Sequence, residues 1–354
     1  MGLLQLDPIQ VVARAHDHIL WNRATQYRPS QLETLQHKHK GVFEHFSHDA
    51  CLLPITTLPY WKRQFERRAT RFERSNWGKE LLEKNLQIDL IDRIKQCGPL
   101  ASKDFKDLRL ANPASGEVWS KPAHKIILDY LWLKGTLAVS HRKKFVKYYD
   151  LAANIYPDEI VQTSLSQHQQ IHWLCDNALR KLGLANAGEL MRFWEACELN
   201  EVKHWIETNP KRYTAVSVEV FSGGYSDSLL CSSLLPIIEN PPEPTSRLRI
   251  LNPFDPAIRD RNRLKRLFGF DYRIEMYTPA DQRRYGYYVY PILEFDQLIG
   301  RIEVTFDKKH SVIRAKNLWL EPKIKLGKGR RALLEAELDR MRRFCNAHSV
   351  EYFF

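Results

Sequence analysis

The chain has 354 residues, which is enough for two or three domains with buried cores and excludes a peptide or a disulfide-stapled miniprotein. Six cysteines without a CxxC pair, no secretory signal and no apolar run of membrane-spanning length predict a cytoplasmic protein with reduced thiols. Lys and Arg number 54 against 42 acidic residues, and the net charge of +12 favours a polyanionic partner, nucleic acid first, over a membrane. A basic surface that serves only solubility is the alternative.

The first stretch with chemical character is residues 4–21, LQLDPIQVVARAHDHILW. Asp followed by Pro is typical of a helix start, so the pattern predicts a helix from Pro8 with Asp7 as its cap. If the approach to this helix is extended, Gln5 and Asp7 point the same way, and capping amides would keep the Asp7 carboxylate ionised. Two interpretations stay open: a helix cap beside an incidental Gln5, or an amide and a carboxylate that share a site.

Histidines interrupt the next apolar run, residues 42–54, which has the composition of a strand entering a core. His45 and His48 are candidates for metal ligands, DNA contacts or buried polar groups bonded to the backbone. No third ligand stands at helical or turn spacing, so the pattern disfavours a metal site and favours the structural role. We expect no metal and no cofactor.

Residues 58–74 read as a helix in which six Lys and Arg alternate with aromatic residues. A solvated helix face and a helix that faces phosphates are equally compatible with this pattern.

The next block, residues 77–150, has the element order of a winged helix-turn-helix domain. A helix at 78–95 is followed by a short helix at 102–108, a turn at 112–116, a longer helix at 121–134 and a basic hairpin at 137–149. Such domains usually meet DNA through the third helix and the hairpin, or wing, whose cations here include His141, Arg142, Lys143 and Lys144. Winged helices also serve as protein-interaction modules, which is the alternative.

Residues 151–246 repeat the pattern of helices followed by a strand, at 213–221, and end in the Pro-rich loop at 240–246. From residue 247 onward the sequence becomes β-rich. A second Asp-Pro helix entry leads into a basic helix with Arg259, Arg261, Arg263 and Arg266. A hairpin at 287–306, a strand at 312–319 and an amphipathic helix at 333–348 complete the chain.

These elements predict an α+β protein of tandem winged-helix domains with a β-rich C-terminal region. The predicted boundaries are 1–76 for a partial first winged helix with its basic connecting helices and 77–150 for the second winged helix. A third winged-helix-like block with its linker covers 151–246, and the β-rich region with its terminal helix covers 247–354.

Four long blocks resemble the winged-helix DNA glycosylases of the YcaQ/AlkZ family. They are GLLQLDPIQVVARAHDHILWNR, FEHFSHDACLLP, LDYLWLKGTLAVSHRKKFVKYYDL and LNPFDPAIRDRNRLKRLFGFDYRIEMYTPADQRRYGYYVYPIL, and together they span nearly the whole chain. The family's catalytic motif is Gln, a hydrophobe, then Gln or Asp. Gln5-Leu6-Asp7 therefore resembles the Asp-bearing branch, and the resemblance raises both residues above a mere helix cap.

The resemblance implies a monofunctional glycosylase that excises alkylated purines and unhooks interstrand crosslinks, with Asp7 activating water and Gln5 orienting it. Family members carry a helical leader ahead of the motif, whereas four residues precede Gln5 here. A misassigned start and a truncated gene are the two explanations. If the leader is truly absent, we expect a first winged helix that lacks packing partners, with loss of stability and activity.

The expected partner is double-stranded DNA, alkylated or crosslinked, bound by a monomer associated with the nucleoid. Candidate DNA contacts beside the motif, in the wing and in the C-terminal block are Arg14, His16, Arg23, His48, His141, Arg142, Lys143, Lys144, Arg259, Arg261, Arg263 and Arg266. A winged-helix transcription regulator without chemistry explains the charge and the wing equally well, but it gives Gln5 and Asp7 no joint role. A glycosylase-derived remnant is the third candidate.

Overall fold

The computed structural model describes residues 1–108 and 121–354 and combines helices with four β-sheets, three of three strands and one of five. The predicted α+β class, with a β-rich C-terminal region, is confirmed. The predicted turn at 112–116 lies outside the described residues. No helix in the described part of the chain is long and apolar enough to cross a membrane.

The first unit opens with a strand of two residues. Its elements are β1 (Leu4–Gln5), α1 (Ala15–Arg23), α2 (Pro29–His37), β2 (Val42–Phe46) and β3 (Ala50–Pro54). The sheet order is β1-β3-β2, with both pairs antiparallel. Helix α3 (Leu58–Glu73) follows, and α4 (Asn76–Glu83) leads into the second unit.

The second unit contains α5 (Leu86–Cys97), β4 (Leu100–Ala101), α6 (Ala123–Lys134), β5 (Leu137–Lys143) and β6 (Val146–Leu151), with a 3₁₀ helix at Ser102–Leu108. The third contains α7 (Ala152–Ile155), α8 (Asp158–Gln162), α9 (Gln167–Leu182), β7 (Leu184–Ala185), α10 (Ala187–Trp194), α11 (Leu199–Thr208), β8 (Tyr213–Glu219), β9 (Tyr225–Cys231) and α12 (Leu235–Glu239).

One connectivity occurs in all three units. A strand of two residues is followed by helices and then by an antiparallel hairpin, and the short strand pairs with the second strand of that hairpin, giving the orders β1-β3-β2, β4-β6-β5 and β7-β9-β8. In the second and third units a helix, α5 or α9, precedes the short strand.

The C-terminal region is built on a five-stranded sheet of order β10-β11-β12-β13-β14, antiparallel except for the last pair. Its elements are β10 (Arg249–Ile250), α13 (Pro256–Arg259), α14 (Arg261–Phe268), β11 (Val289–Glu294), β12 (Gln297–Asp307), β13 (Val312–Leu320), α15 (Lys328–Phe344) and β14 (Ser349–Tyr352). The predicted hairpin and third strand are present, and Leu334, Leu338 and Met341 of α15 are buried, as the amphipathic pattern indicates. The edge strand β14 was not predicted from the sequence.

The first unit shares its core with its neighbours. Leu3, Phe43 and Leu53 belong to the main core of the third unit, whereas Val12 and Trp21 belong to the core of the C-terminal sheet. The expectation that this unit lacks packing partners is therefore wrong for the described chain. Burial against the third unit and against the C-terminal sheet supplies the apolar contacts that stabilise the first unit.

The predicted start of the first helix is also wrong. Helix α1 begins at Ala15 and not at Pro8. The Asp7 carboxylate accepts a hydrogen bond from the Ile9 amide at 2.8 Å in a local turn, and the Val11 carbonyl accepts one from the Phe306 amide at 3.0 Å. Pairing with the C-terminal sheet thus overrides the local helix signal of Asp-Pro.

Candidate active site

The Gln5-Leu6-Asp7 motif lies along the open edge of the first sheet. Gln5 is paired with Cys51 of β3, and the Leu6 amide extends the pairing by donating to the Ala50 carbonyl at 2.8 Å. Both polar side chains are buried, with 4 % of Gln5 and 6 % of Asp7 exposed. A buried amide and a buried carboxylate two residues apart need explanation, because each costs free energy unless its bonds are satisfied.

The turn between β2 and β3 fixes the side-chain amide of Gln5. His48 Nε2 lies 2.9 Å from Gln5 Oε1, and Gln5 Nε2 donates to Asp49 Oδ2 at 3.3 Å. Burial, followed by the charge of Arg259, lowers the pKa of His48 to about 3, so its ring is neutral at physiological pH. Because Gln5 Oε1 can only accept, His48 carries its single proton on Nε2. The Asp49 carboxylate, which can only accept, selects this orientation of the Gln5 amide.

Asp7 lies in an environment that opposes its charge. Burial raises the pKa of Asp7 above 3.8, the Ile9 amide opposes this, and the nearby charge of Asp49 adds to it. Among the described residues one amide bonds to the carboxylate, and desolvation has the larger effect on its pKa. No donor among the described residues bonds to the second oxygen, which leaves it available to a substrate or a water molecule.

Asp7→Asn should raise the melting temperature of the protein at neutral pH. Since the folded-state pKa of Asp7 is raised, the charged form costs stability above that pKa, and the cost disappears as the pH falls through it toward 3.8. Asn keeps an oxygen for the Ile9 amide. Calorimetry at about pH 7.5 and about pH 4 measures the effect. A melting difference that is the same at both pH values would contradict this explanation.

Asp49 belongs to the site, although its sequence context carries no catalytic pattern. It follows His48 in the hairpin turn, its Oδ1 accepts from the Ala50 amide at 2.7 Å, and its other oxygen accepts from Gln5. The residues that meet here are 43 and 44 positions apart in sequence. Only the pairing of β1 with β3 brings them together, so no local signal could identify Asp49.

His45, one of the two candidate metal ligands, has a structural role. His45 accepts from Trp61 Nε1 at 2.8 Å, and its Nε2 lies 3.2 Å from the Leu133 carbonyl. It is thus a buried polar residue with both ring nitrogens bonded. Across residues 1–108 and 121–354, no group of three or more His, Cys, Asp or Glu is placed to hold a metal ion.

The basic helix α3 mostly serves the interior. Arg63 is buried and donates to Glu201 at 2.5 Å, Arg67 pairs with Glu198, and Arg68 donates to the Ser47 carbonyl beside the site at 2.6 Å. Arg71 and Arg74 are exposed. Among the arginines of this segment, they alone fit a surface that faces solvent or phosphates, the two interpretations that the sequence left open.

The cations of the predicted wing fall into two groups. Arg142 forms a two-pronged ion pair with the fully buried carboxylate of Glu44 at 2.6 and 2.8 Å, and His141 stacks on Tyr148 with ring centroids 4.6 Å apart. Lys143 and Lys144 are exposed at the hairpin turn and pair with no described carboxylate. The wing therefore presents two lysines to solvent, whereas Arg142 ties it to the first unit.

Arg14 and His16 line a cavity of about 310 Å³ between the first unit and the wing. The Arg14 guanidinium lies 4.5 Å from the centroid of the Phe145 ring, and its buried Nη1 bonds to no described group. His16 is 8 % exposed, its Nδ1 is also unpartnered, and burial lowers its pKa. Lys144 lines the same cavity, as do the acidic Asp17 and Glu33.

The remaining predicted contacts, in α1 and the C-terminal block, are mostly bonded internally. Arg23 forms an ion pair with buried Asp255 at 2.5 Å, and Arg259 donates to the carbonyls of Arg192 and Phe193 at 2.6 and 2.8 Å. Arg263 and Arg266 both donate to one buried carboxylate, Glu189, at 2.8 to 3.1 Å. Arg261 is exposed and pairs with no described carboxylate.

Comparison with known proteins agrees with this architecture. The family described as DNA glycosylase AlkZ-like matches residues 1–344 of the chain. Among solved structures, the Streptomyces sahachiroi DNA glycosylase AlkZ is similar, with a TM-score of 0.60 over 93 % of this chain and 86 % of that one, at 11 % sequence identity. At this identity the structural likeness concerns the fold, and the match to the family over nearly the full length gives the assignment: this chain belongs to the AlkZ-like DNA glycosylase family.

Proposed function

We propose that the protein is a monofunctional DNA glycosylase that hydrolyses the N-glycosidic bond of N7- or N3-alkylated purines in duplex DNA. The observation that carries the proposal is the burial of Asp7 beside an amide, Gln5, whose orientation is fixed by His48 and Asp49. A buried Asp7 carboxylate with a raised pKa lowers the stability of the folded protein. A catalytic role explains why the residue is kept there. We also propose that the second and third units are winged-helix domains. The proposed domain boundaries are 1–76, 77–150, 151–246 and 247–354.

Alkylation at N7 or N3 makes the purine cationic and a good leaving group, so no protonated acid is required. As the glycosidic bond breaks, positive charge develops on the sugar, and the ionised Asp7 stabilises it. The free oxygen of Asp7 then accepts a proton from the water that attacks the anomeric carbon, in the manner of an inverting glycosidase without its acid. The products are the free purine and an abasic site.

Gln5 is suited to hold that water. His48 occupies one acceptor position of Oε1, and Asp49 takes one proton of the NH₂ group, which leaves one acceptor position and one N–H. The Asp49 carboxylate adds a second negative charge near the developing cation. No Lys takes part in this scheme, so no Schiff base forms with the sugar and no strand-cleaving lyase step follows.

The substrate is the duplex, bound by a monomer without a cofactor, since every proposed catalytic group comes from one chain. The net charge of +12 supports a polyanion. Interstrand crosslinks joined through N7 of guanine present the same cationic leaving group, so we extend the proposal to crosslink unhooking. A DNA substrate places the protein with the nucleoid in the cytoplasm.

The uncompensated cations are the proposed DNA contacts. Arg14→Gln and Lys144→Gln should each weaken binding to any duplex sequence and reduce the slope of log affinity against log salt concentration by about 1, because each removes one phosphate contact. Fluorescence anisotropy over a salt series measures both. Arg331→Gln, in an exposed ion pair on α15 with Glu335, is the matched control. Equal slopes for all three variants would exclude Arg14 and Lys144 from the interface.

The test of the function is base release from methylated duplex DNA, followed by chromatography of the released bases. We expect enzyme-dependent release of 7-methylguanine or 3-methyladenine, with strand breaks appearing only after alkali. Salt-dependent binding to plain duplex without any release would overturn the proposal in favour of a winged-helix regulator or a glycosylase-derived remnant. Strand breaks without alkali would overturn its monofunctional character.

A further inference from the structure

Tyr277 is the most exposed large hydrophobic side chain in the described part of the chain, with 82 % of its surface open to solvent. An aromatic ring in this position gives up the free energy of burial that a Tyr of this size gains in a core. Scattered exposed aromatics are normal on protein surfaces, so exposure alone assigns no role. Its backbone and its location distinguish it.

The backbone that carries Tyr277 is firmly organised. The Glu275 carboxylate accepts three backbone hydrogen bonds, from the amides of Arg284, Tyr285 and Gly286 at 3.0, 2.8 and 3.0 Å. The Thr278 amide donates to the Glu275 carbonyl at 2.9 Å. The loop between α14 and β11 is thus closed on itself, and Tyr277 extends from an ordered support.

This loop packs on the same core as the catalytic segment. Ile274, at its start, and Ile9, two residues after Asp7, both contact the core cluster around Tyr290. At its end, the Tyr288 ring lies 6.2 Å from Phe254, which packs against the small cluster that contains Leu4 and Leu6. Both ends of the loop therefore pack on cores to which the segment around Gln5 and Asp7 also contributes.

The electrostatics of Tyr277 agree with this placement. Partial burial, followed by the charges of Asp7 and Asp49, raises the pKa of the Tyr277 hydroxyl, which therefore stays protonated at physiological pH. A second half-exposed aromatic, Tyr287, lies in the same loop with the Arg283 guanidinium 5.2 Å from its ring centroid. The Tyr277 side chain thus offers an apolar face and a hydroxyl donor within the electrostatic reach of the two carboxylates.

A purine presents a flat face that stacks on aromatic rings, and each such stack is worth about 1–3 kcal/mol. We propose that Tyr277 is a substrate-contacting residue of the candidate site, whose ring stacks on the purine presented to Asp7 and Gln5. This inference rests on the proposed function. It assigns to the ring the work of holding the base while its bond to the sugar breaks, and it explains why the aromatic side chain is displayed and not buried.

The test compares Tyr277→Ala with Tyr277→Phe, which keeps the ring and removes the hydroxyl. Tyr225→Ala is the matched control, because Tyr225 is 75 % exposed on the β8–β9 hairpin. Under single-turnover conditions on methylated duplex, we expect release to fall about 10- to 100-fold in the Ala variant, as one lost stack predicts. The Phe variant and the control should stay within about twofold of the unaltered protein.

Release unchanged in Tyr277→Ala would overturn the inference. An equal loss in the Phe variant would do so too, because it would show that the hydroxyl and not the ring is used. If the unaltered protein releases no base, the proposed function fails, and stacking is then judged by a second readout. A duplex with one 2-aminopurine as purine analogue should change fluorescence on binding the unaltered and Phe proteins but not the Ala protein; identical changes in all three would refute stacking.

Discussion

Asp7→Asn is expected to lower base release from alkylated duplex by about 100- to 10,000-fold, which is the range for removing a positioned general base. On the proposed mechanism, the variant loses both the negative charge that stabilises the sugar cation and the acceptor for the proton of the attacking water. Its shape and its bond to the Ile9 amide are retained, so duplex affinity and folding should persist. Single-turnover release and anisotropy on the same preparation separate the two effects.

Asp227→Asn is the matched control, because Asp227 is an exposed carboxylate on β9 and its substitution should change neither quantity. Undiminished release in Asp7→Asn would remove Asp7 from the mechanism. Loss of both release and duplex affinity would instead assign Asp7 to DNA binding. Asp49→Asn and Gln5→Ala offer graded comparisons, since both leave the Asp7 charge in place and alter the orientation of the water.

Glu189→Ala should produce the largest loss of stability, about 3–5 kcal/mol, the usual cost of removing one partner from a buried ion pair. The Glu189 side chain is 1 % exposed, and its carboxylate accepts from Arg263, Arg266 and the Asn186 amide. Its removal leaves two largely buried guanidinium groups without a counter-charge and also removes the half of the α10 capping box that accepts from the Asn186 amide. Urea denaturation followed by circular dichroism measures the change.

Glu198→Ala is the comparison, because the Glu198 side chain is 63 % exposed in its pair with Arg67 and such surface pairs are worth less than about 1 kcal/mol. Similar losses in the two variants would contradict the structural role of Glu189. A large loss for Glu189 alone means that Arg263 and Arg266 hold the third unit to the C-terminal region, and that their charges are neutralised before DNA arrives.

The sequence is most informative where local pattern decides structure. Alternation of β-branched and aromatic residues predicts the strand at 213–221, where β8 alternates in exposure, and period 3.6 predicts the buried face of α15, because each signal reflects a single inward face. The Asp-Pro pair at residues 7 and 8 is equally local but misleads. The hydrogen bond between Val11 and Phe306 joins positions almost 300 residues apart, and no helix propensity anticipates it.

The same distinction divides the predicted site. Gln5 and Asp7 are two positions apart in sequence and can be proposed from it, whereas His48 and Asp49 reach them only through strand pairing. The arginines of α14 show that a basic sequence pattern does not separate free cations from ion-paired ones. Arg261 and Arg263 are two positions apart in one basic run, yet one is exposed and the other binds a carboxylate from α10. Charge in a sequence marks cations but does not say which are already neutralised.

The two-residue strand β1 lies between two cores, with Leu3 in the core of the third unit and Leu4 and Leu6 in the small cluster against α1. A segment packed on both sides holds the backbone of Gln5 and Asp7 in place. On the proposed mechanism, the groups that meet the developing charge are therefore oriented before the DNA binds. The free energy needed to bury the Asp7 carboxylate is therefore spent when the protein folds, and it lowers the stability of the folded state.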